Sequence, residues 1–219
     1  MRMRNKKHGA ERIEACRAFK ITDPGLLKTP ALIFGREAPI HLEIGCGKGS
    51  FACRMADAHP DWDFIAMERI PNVACNALEN AKARMESEQG KQDNLRILIR
   101  NAANLQEWFA PGSVDTIYLN FSDPWPKSGH AKRRLTHPAF LKIYQTVLKP
   151  SGILRFKTDN RDLFDFSLES FREFGLKTIF VSYDLHNDSG EYAQTNIMTE
   201  YEKNFSEKGF PIHMAVVQF

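Results

Sequence analysis

A short apolar run that ends in an acid and leads into three alternating glycines is the feature that most constrains this chain. The segment reads Pro39-Ile40-His41-Leu42-Glu43-Ile44-Gly45-Cys46-Gly47-Lys48-Gly49-Ser50-Phe51, and a helical pattern begins within its last residues. Because glycine lacks a Cβ, such a backbone can turn tightly and let a ligand come close. A buried strand, a glycine-rich turn and a helix N-terminus form the nucleotide-binding corner of α/β folds. The stretch therefore predicts an α/β domain with a nucleotide-type ligand at this corner.

The spacing of the glycines and the acid before them indicate which ligand fits. A dinucleotide fingerprint is G-x-G-x-x-G, with the pyrophosphate at the helix N-terminus. Here the glycines run G-x-G-x-G, and Ser50 stands where the third fingerprint glycine would fall. Glu43 would repel a pyrophosphate but suit the amino group or sulfonium region of S-adenosylmethionine. The pattern resembles the first motif of class I methyltransferases, with Gly45, Gly47 and Gly49 binding the donor, and it disfavours a nicotinamide dehydrogenase.

Strand and helix patterns alternate along the chain. Apolar runs predict strands at 40–44, 62–68, 95–99, 114–119, 153–156 and 177–183, and helical spacing predicts helices at 48–58, 71–85, 140–148, 161–174 and 199–208. A last apolar stretch covers 212–217. This alternation implies right-handed crossovers and a mostly parallel sheet with helices on both faces. The predicted fold class is therefore α/β and Rossmann-like, with residues 31–219 as a single domain.

Residues 1–30 are expected to form a basic arm, punctuated by Pro24, Gly25 and Pro30. The start of the chain, residues 1–8, is basic but has no apolar core behind it, so we expect no secretory signal. No run approaches the ~18 apolar residues that a membrane span needs. We therefore expect a cytoplasmic protein that does not enter a membrane.

The 4 cysteines form no C-x-x-C pair and no zinc-type spacing with histidine. They are Cys16, Cys46, Cys53 and Cys75. Free thiols in a reducing compartment are the expected state, and no metal site is predicted.

Polar side chains follow each of the first four predicted strands. Glu43 and Glu68 end the first and second strands, Asn101 follows the third, and Asp123 follows the fourth. Because the carboxyl ends of parallel strands meet at one edge, we expect these side chains to share a ligand site. Glu68 suits the ribose hydroxyls of an adenosine, and the amide of Asn101 can donate to and accept from an adenine edge.

The loop after the fourth strand reads Asn120-Phe121-Ser122-Asp123-Pro124-Trp125-Pro126-Lys127. Two prolines around a tryptophan make a stiff loop that presents Asp123 and Trp125 in fixed directions. No acid lies between Asp123 and Asp159, although that span carries Lys127, Lys132, Arg133, Arg134, Lys142, Lys149, Arg155 and Lys157. The net charge is only +3, but this segregation is typical of a polyanion-binding face.

Several of these motifs together are similar to those of the bacterial tRNA (guanine-N7)-methyltransferase family, over roughly residues 30–219. The motifs are Leu42-Glu43-Ile44-Gly45-Cys46-Gly47-Lys48-Gly49, Phe121-Ser122-Asp123-Pro124-Trp125-Pro126-Lys127, His130-Ala131-Lys132-Arg133-Arg134-Leu135, Thr158-Asp159-Asn160, and Thr199-Glu200-Tyr201-Glu202 with Phe205, Gly209 and Ile212. The S-D-P-W-P-K block is far more specific than the glycines.

The resemblance implies methyl transfer from S-adenosyl-L-methionine to N7 of a guanosine in the variable loop of tRNA, by a monomer or homodimer. It implies that the donor pocket is lined by Glu43, Glu68, Asn101 and Asp123, with Asp123 as the catalytic residue. It implies substrate binding by Lys127, Asp159, Thr199, Glu200, Tyr201 and Glu202, and RNA contacts from Gly129, His130, Ala131, Lys132, Arg133 and Arg134. Asn101 is a departure, since many members carry Asp there.

The chemistry agrees with this resemblance. Guanine N7 carries an in-plane lone pair and no proton, so alignment rather than a strong base supplies much of the catalysis. The product base is cationic, and Asp123 could stabilise that charge or accept hydrogen bonds from the guanine N1–H and N2–H₂ edge. Trp125 could stack on the base or form a wall of the pocket. The target base must leave its stack, which unpaired RNA makes easier.

Two other functions stay open at this point. An adenine-N6 methyltransferase would carry N-P-P-[YFW], whereas Asp123-Pro124-Trp125 lacks the second adjacent proline. A non-catalytic RNA-binding module on the same fold is the other possibility. Transfer of a labelled methyl group would distinguish an enzyme from such a module.

Overall fold

The computed structural model describes residues 8–87 and 92–219. The basic residues of the expected arm at positions 2, 4, 6 and 7 therefore lie outside the described residues. The chain divides into two compact units, Met1–Ala110 and Pro111–Phe219.

The first unit contains three strands, five α-helices and three short 3₁₀ helices among its described residues. The strands are β1 (Ile40–Ile44), β2 (Asp63–Met67) and β3 (Leu95–Leu98), the α-helices are α1 (Gly9–Glu14), α2 (Ala31–Phe34), α3 (Ser50–Ala58), α4 (Pro71–Glu86) and α5 (Leu105–Trp108), and the 3₁₀ helices are Arg17–Phe19, Pro24–Lys28 and Ala102–Asn104. The strands run in the order β3-β2-β1, and both neighbouring pairs are parallel. All five residues of β1 and of β2 are buried, as expected for strands covered on both faces.

The second unit contains four strands, four α-helices and two 3₁₀ helices. These are β4 (Val114–Asn120), β5 (Leu148–Thr158), β6 (Lys177–Ser182) and β7 (His213–Gln218), α6 (Pro138–Val147), α7 (Arg161–Phe174), α8 (Glu191–Gln194) and α9 (Glu200–Ser206), with 3₁₀ helices at Ser128–Arg133 and Leu185–Asn187. The strand order is β4-β5-β7-β6. β4 and β5 are parallel, whereas β7 is antiparallel to both β5 and β6. Within the two units, the pairs β1–β2, β2–β3 and β4–β5 are parallel and two pairs are antiparallel, so the predicted mostly parallel α/β class is confirmed.

Residues 8–30, the described part of the expected basic arm, are part of the first unit and pack on its other elements. Arg12 of α1 donates two hydrogen bonds, of 2.6 and 2.7 Å, to the carboxylate of Glu79 in α4. The Ile21 amide donates to the Ile97 carbonyl of β3 at 2.9 Å, and the Ile21 and Leu27 side chains are buried. Apolar residues between the charges therefore fix this segment.

β5 begins at Leu148, earlier than the predicted strand 153–156. A bulge separates its first pair with β4 from the remaining pairs, so the sequence at the bulge reads as a turn. The register runs from Val114↔Leu148 directly to Thr116↔Ile153. Ser151 in this bulge has φ 65°, and a Cβ on Gly152 would lie 2.9 Å from the Cβ of Leu148. The turn signal at 149–152 thus marks a β-bulge that follows directly on α6.

The helices also bear on whether the chain could cross a membrane. Among the residues that the structure describes, no helix is both long enough and apolar enough to cross a bilayer.

Candidate active site

The glycine turn after β1 combines open space with close packing. Gly45, Gly47 and Gly49 have φ of 82°, 58° and 74°, in the left-handed region that disfavours residues with a side chain. A Cβ on Gly45 or Gly47 would meet nothing within 4 Å, whereas one on Gly49 would lie 2.9 Å from the Cβ of Ala77 in α4. Gly49 therefore lets α4 pack closely, while Gly45 and Gly47 leave room for a ligand to approach the backbone.

Two buried carboxylates stand beside this turn. Glu43 is 3% exposed in β1, and Glu68 is 8% exposed directly after β2. Glu68 accepts hydrogen bonds from the amides of Ile70, at 2.9 Å, and Gly47, at 3.3 Å, which orient its carboxylate over the turn. A carboxylate offers about four lone-pair sites, so Glu68 can still accept hydroxyl groups of a ligand.

These carboxylates also affect the thiol between the glycines. Burial, and then the negative charges of Glu43 and Glu68, raise the pKa of the Cys46 thiol well above its usual range. Cys46 therefore stays neutral, and the charge beside the turn comes from the carboxylates. Such a site favours a cationic ligand over a phosphate.

Asn101 lies where the sequence predicts it, after β3. It caps the 3₁₀ helix Ala102–Asn104, and its Oδ1 accepts a hydrogen bond from the Ala103 amide at 3.1 Å. The side chain is exposed, so its amide nitrogen and the second lone pair of Oδ1 can meet an adenine edge. The first unit thus brings together Glu43, the glycine turn, Glu68 and Asn101 at the carboxyl ends of its parallel strands. These residues fit S-adenosylmethionine, which combines a cationic centre, ribose hydroxyls and an adenine edge.

In the second unit, the carboxyl ends of β4 and β5 lie side by side. Asn120 pairs with Lys157, and the Phe121 amide donates to the Lys157 carbonyl at 2.9 Å. The segments that carry Asp123 and Asp159 therefore leave the same edge of the sheet. The Asp123 side chain is exposed.

The loop around Asp123 is held in an unusual conformation. Phe121 and Trp125 have φ of 52° and 43°, which costs a residue with a side chain roughly 1–3 kcal/mol unless its surroundings hold it. His130 meets the Trp125 ring edge-on at 5.8 Å, and the Arg133 guanidinium lies 4.9 Å from the ring centroid. The 3₁₀ helix Ser128–Arg133 therefore packs back onto this loop.

The residues of the predicted RNA-binding run, 129–134, differ in how exposed they are. Gly129, Lys132 and Arg133 are exposed, whereas His130, Ala131 and Arg134 are partly buried. Lys127, predicted to bind substrate, is also exposed. The exposed cations are available to a polyanion.

Two of the predicted substrate-binding residues serve the fold of α9. Thr199 and Glu202 form a capping box: the Thr199 hydroxyl accepts from the Glu202 amide at 2.9 Å, and Glu202 accepts from the Thr199 amide at 3.1 Å. Glu202 is fully buried and accepts from Lys157 Nζ at 2.6 Å. Glu200 and Tyr201, in contrast, are exposed. The spacing T-x-x-E signals the cap, but nothing in the sequence links Glu202 to Lys157.

Tyr201 contacts another of the predicted substrate residues, Asp159. Its hydroxyl donates to Asp159 Oδ2 at 3.3 Å, and its ring stacks on Phe205 at 4.2 Å and meets Phe121 at 4.8 Å. The side chain is exposed as a whole, but partial burial of the phenol, and then the charge of Asp159, raise the pKa of Tyr201 to about 12. The phenol is therefore a hydrogen-bond donor at neutral pH. The i, i+4 spacing within the predicted helix indicates the contact with Phe205, whereas no local sequence signal indicates the one with Phe121.

The described side chains also bear on whether the protein could bind a metal ion. Among residues 8–87 and 92–219, no group of three or more His, Cys, Asp and Glu side chains is arranged to hold a metal ion.

Known proteins match this chain over nearly its whole length. A family model described as "Putative methyltransferase" matches residues 37–215. The tRNA (guanine-N(7)-)-methyltransferase of Listeria monocytogenes serotype 4b (strain F2365) is 45% identical over 220 residues, which cover 100% of this chain and 99% of that protein. Proteins of the same name from Geobacillus sp. (strain WCH70) and Lactococcus lactis subsp. cremoris (strain SK11) are 46% and 42% identical, over 96% and 98% of their lengths.

Solved structures show the same fold at low sequence identity. An antibiotic-related methyltransferase superposes with a TM-score of 0.62 at 15% identity, covering 86% of this chain and 91% of that chain. The 16S rRNA methyltransferase KamB gives a TM-score of 0.62 at 14% identity, covering 85% and 90%. These likenesses confirm the predicted methyltransferase fold.

Proposed function

This chain belongs to the tRNA (guanine-N7)-methyltransferase family, and on that premise we propose that it methylates N7 of a guanosine in the variable loop of tRNA, with S-adenosyl-L-methionine as donor. The full-length match at 45% identity carries the proposal. The glycine turn with its two buried carboxylates supports it independently, because that arrangement favours a cationic nucleoside donor.

We assign the donor to residues of the first unit. Glu68 would accept the ribose hydroxyls, Asn101 would meet the adenine edge, and the charge of Glu43 favours a cation. The remaining contacts are from the backbone of Gly45, Gly47 and Gly49. When bound, S-adenosylmethionine supplies a methyl group on a positively charged sulfur.

We assign the guanosine and the RNA to residues of the second unit. Asp123 would act as the catalytic residue, by stabilising the positive charge that develops on the purine or by accepting from its N1–H and N2–H₂ groups. It is also proposed to contact the donor. N7 needs no deprotonation, so positioning is the main task.

The substrate contacts are assigned to the surroundings of Asp159. Tyr201 holds Asp159 through its hydroxyl, and Lys127, Thr199, Glu200 and Glu202 complete the proposed set. Thr199 and Glu202 would act mainly by fixing the start of α9, since their polar groups bond each other. The exposed residues of 129–134 would grip phosphates, which gives affinity but little sequence information. In this proposal residues 31–219 form the methyltransferase domain, preceded by a basic arm.

The test is to map methylation on tRNA that lacks this modification. Purified protein and labelled donor should place one label on a variable-loop guanine at N7, and Asp123→Ala should abolish the transfer while it still folds. Label on adenine N6 would favour an adenine methyltransferase. Binding of tRNA without any transfer would indicate a non-catalytic module.

A further inference from the structure

Arg134 is directed into the fold, although the sequence groups it with RNA-binding cations. Its Nε donates to the Pro124 carbonyl at 3.0 Å, and its Nη2 donates to the Trp125 carbonyl at 3.1 Å. The guanidinium also lies 4.3 Å from the ring centroid of Phe166 in α7. We propose that Arg134 is a positioning residue for methyl transfer, which holds the loop that carries Asp123, and that it is not a phosphate contact. This inference rests on the function proposed above.

The loop needs such a clamp because its own backbone cannot fix it. Pro124 and Pro126 carry no N–H group, and Trp125 between them has φ 43°. The two carbonyls that Arg134 binds are those of Pro124 and Trp125, which follow Asp123 directly. Holding these two carbonyls therefore holds the backbone on the C-terminal side of Asp123 in place.

The chemistry of the arginine side chain suits this task. A guanidinium is planar and presents its N–H groups in a rigid fork, so it can bind two neighbouring carbonyls at once. Its flat face can stack on an aromatic ring, and Phe166 supplies that ring from the 14-residue helix α7. Lysine has neither the fork nor the flat face, so Arg134→Lys keeps the charge but loses the clamp.

The neighbouring cations provide the contrast. Lys132 and Arg133 are exposed, and within the described part of the chain Lys132 makes no ion pair or hydrogen bond. Lys132 therefore has the free charge that a phosphate contact requires. In this proposal Lys132 contacts the RNA, whereas Arg134, two residues later, binds the loop that carries Asp123.

The experiment compares Arg134→Ala and Arg134→Lys with Lys132→Ala in the full-length protein. For each variant, kcat and KM are measured with tRNA at saturating donor, and the Kd for tRNA is measured over a range of salt concentrations. Thermal unfolding identifies a variant that fails to fold, in which case Arg134→Lys alone is compared.

Both Arg134 variants should lower kcat roughly tenfold to a hundredfold, the size expected when a reacting group is misplaced by about 1 Å. The salt dependence of their tRNA binding should equal that of the wild type. Lys132→Ala should instead weaken tRNA binding and reduce the salt slope by about 0.7 to 0.9. Added guanidinium or methylguanidinium should restore part of the kcat of Arg134→Ala and leave Lys132→Ala unchanged.

The inference is overturned if the Arg134 variants keep the wild-type kcat at saturating tRNA and lose salt dependence as Lys132→Ala does. A kcat loss in Arg134→Ala that Arg134→Lys repairs fully would also overturn it, because charge alone would then suffice. If the wild type itself transfers no methyl group to guanine N7, the proposed function fails, which is a different result from either of these.

Discussion

At the scale of single residues, the three glycines after β1 differ in what surrounds them. Gly47 and Gly49 share a left-handed backbone, but of these two only Gly49 lies so close to a neighbouring helix that an added Cβ would clash with it. The sequence predicts a tight turn from all three glycines. It does not show which of them serves packing, because Ala77 is distant in the chain.

We therefore expect Gly49→Ala to be more destabilising than Gly47→Ala. A left-handed backbone costs each alanine about 1–2 kcal/mol. The Cβ at position 49 would also lie 2.9 Å from that of Ala77, and such overpacking adds roughly 1–3 kcal/mol. Urea unfolding of both variants measures the difference. Equal free energies of unfolding would contradict the role assigned to Gly49.

Tyr201 leads to a prediction about pH. Its pKa is raised to about 12, so the phenol stays protonated, and keeps donating to Asp159, until the pH approaches that value. An unperturbed tyrosine would lose this proton near pH ~10.

Tyr201→Phe should therefore lower kcat/KM for tRNA several-fold, by the roughly 0.5–1.5 kcal/mol of one hydrogen bond. The ratio of wild type to variant should stay constant between about pH 7 and pH 10, since the phenol does not titrate there. Rate profiles of both proteins over this range provide the measurement. A ratio that falls with a midpoint near pH ~10 would show that the phenol titrates normally.

At the scale of elements, the regular helices and strands were predictable because their ends carry local signals. The predicted helix 161–174 is confirmed as α7, with Asn160 capping its start through the Leu163 amide and Gly175 ending it at φ 82°. α2, α5 and α8 are four residues long each, too short to show helical spacing, so the sequence does not predict them. At the bulge in β5 the sequence predicts only a turn, because the pairing there depends on β4.

The start of α9 depends on a buried ion pair that local signals do not predict. Glu202→Gln removes the carboxylate that Lys157 contacts in the interior, and breaking a buried pair in this way costs about 3–5 kcal/mol. We expect the free energy of unfolding to fall by an amount of this order.

Glu207→Gln is the matched control for this variant. Glu207 is exposed and lies 3.9 Å from Lys203 one helical turn away, an arrangement worth roughly 0.3–0.5 kcal/mol. Urea unfolding of the two variants gives the comparison. If Glu202→Gln were no more destabilising than Glu207→Gln, the pair with Lys157 would not hold α9.

At the scale of the whole molecule, the distribution of charge matters more than its sum. The net charge is +3, yet the span from Asp123 to Asp159 contains only cationic charged residues between its two ends. We expect neutralising Lys132 and Arg133 together to reduce the salt slope of tRNA binding by roughly 0.7 to 0.9 for each phosphate that the variant no longer binds. Lys177→Gln, a change to an exposed cation in β6, should leave the slope unchanged. A slope unaffected by the double substitution would mean that these two side chains face solvent only.

The fold class was also predictable at this scale, since alternating strands and helices leave few topologies. The position of Glu43, Glu68 and Asn101 at one edge of the sheet was predictable because each lies at or near the carboxyl end of a parallel strand. The roles of Arg134 and Glu202 were not, because their partners are set by tertiary packing.

The buried bond between Lys157 and Glu202 has a consequence for how relatives of this chain can diverge. Losing Glu202 alone would remove the buried carboxylate that Lys157 contacts, and losing Lys157 alone would leave the buried Glu202 to pair with His186, at 3.3 Å. Exchanging both for neutral side chains would remove both charges of the pair together. Natural variants should therefore keep the two together or lose them together, and an engineer who alters one must alter the other.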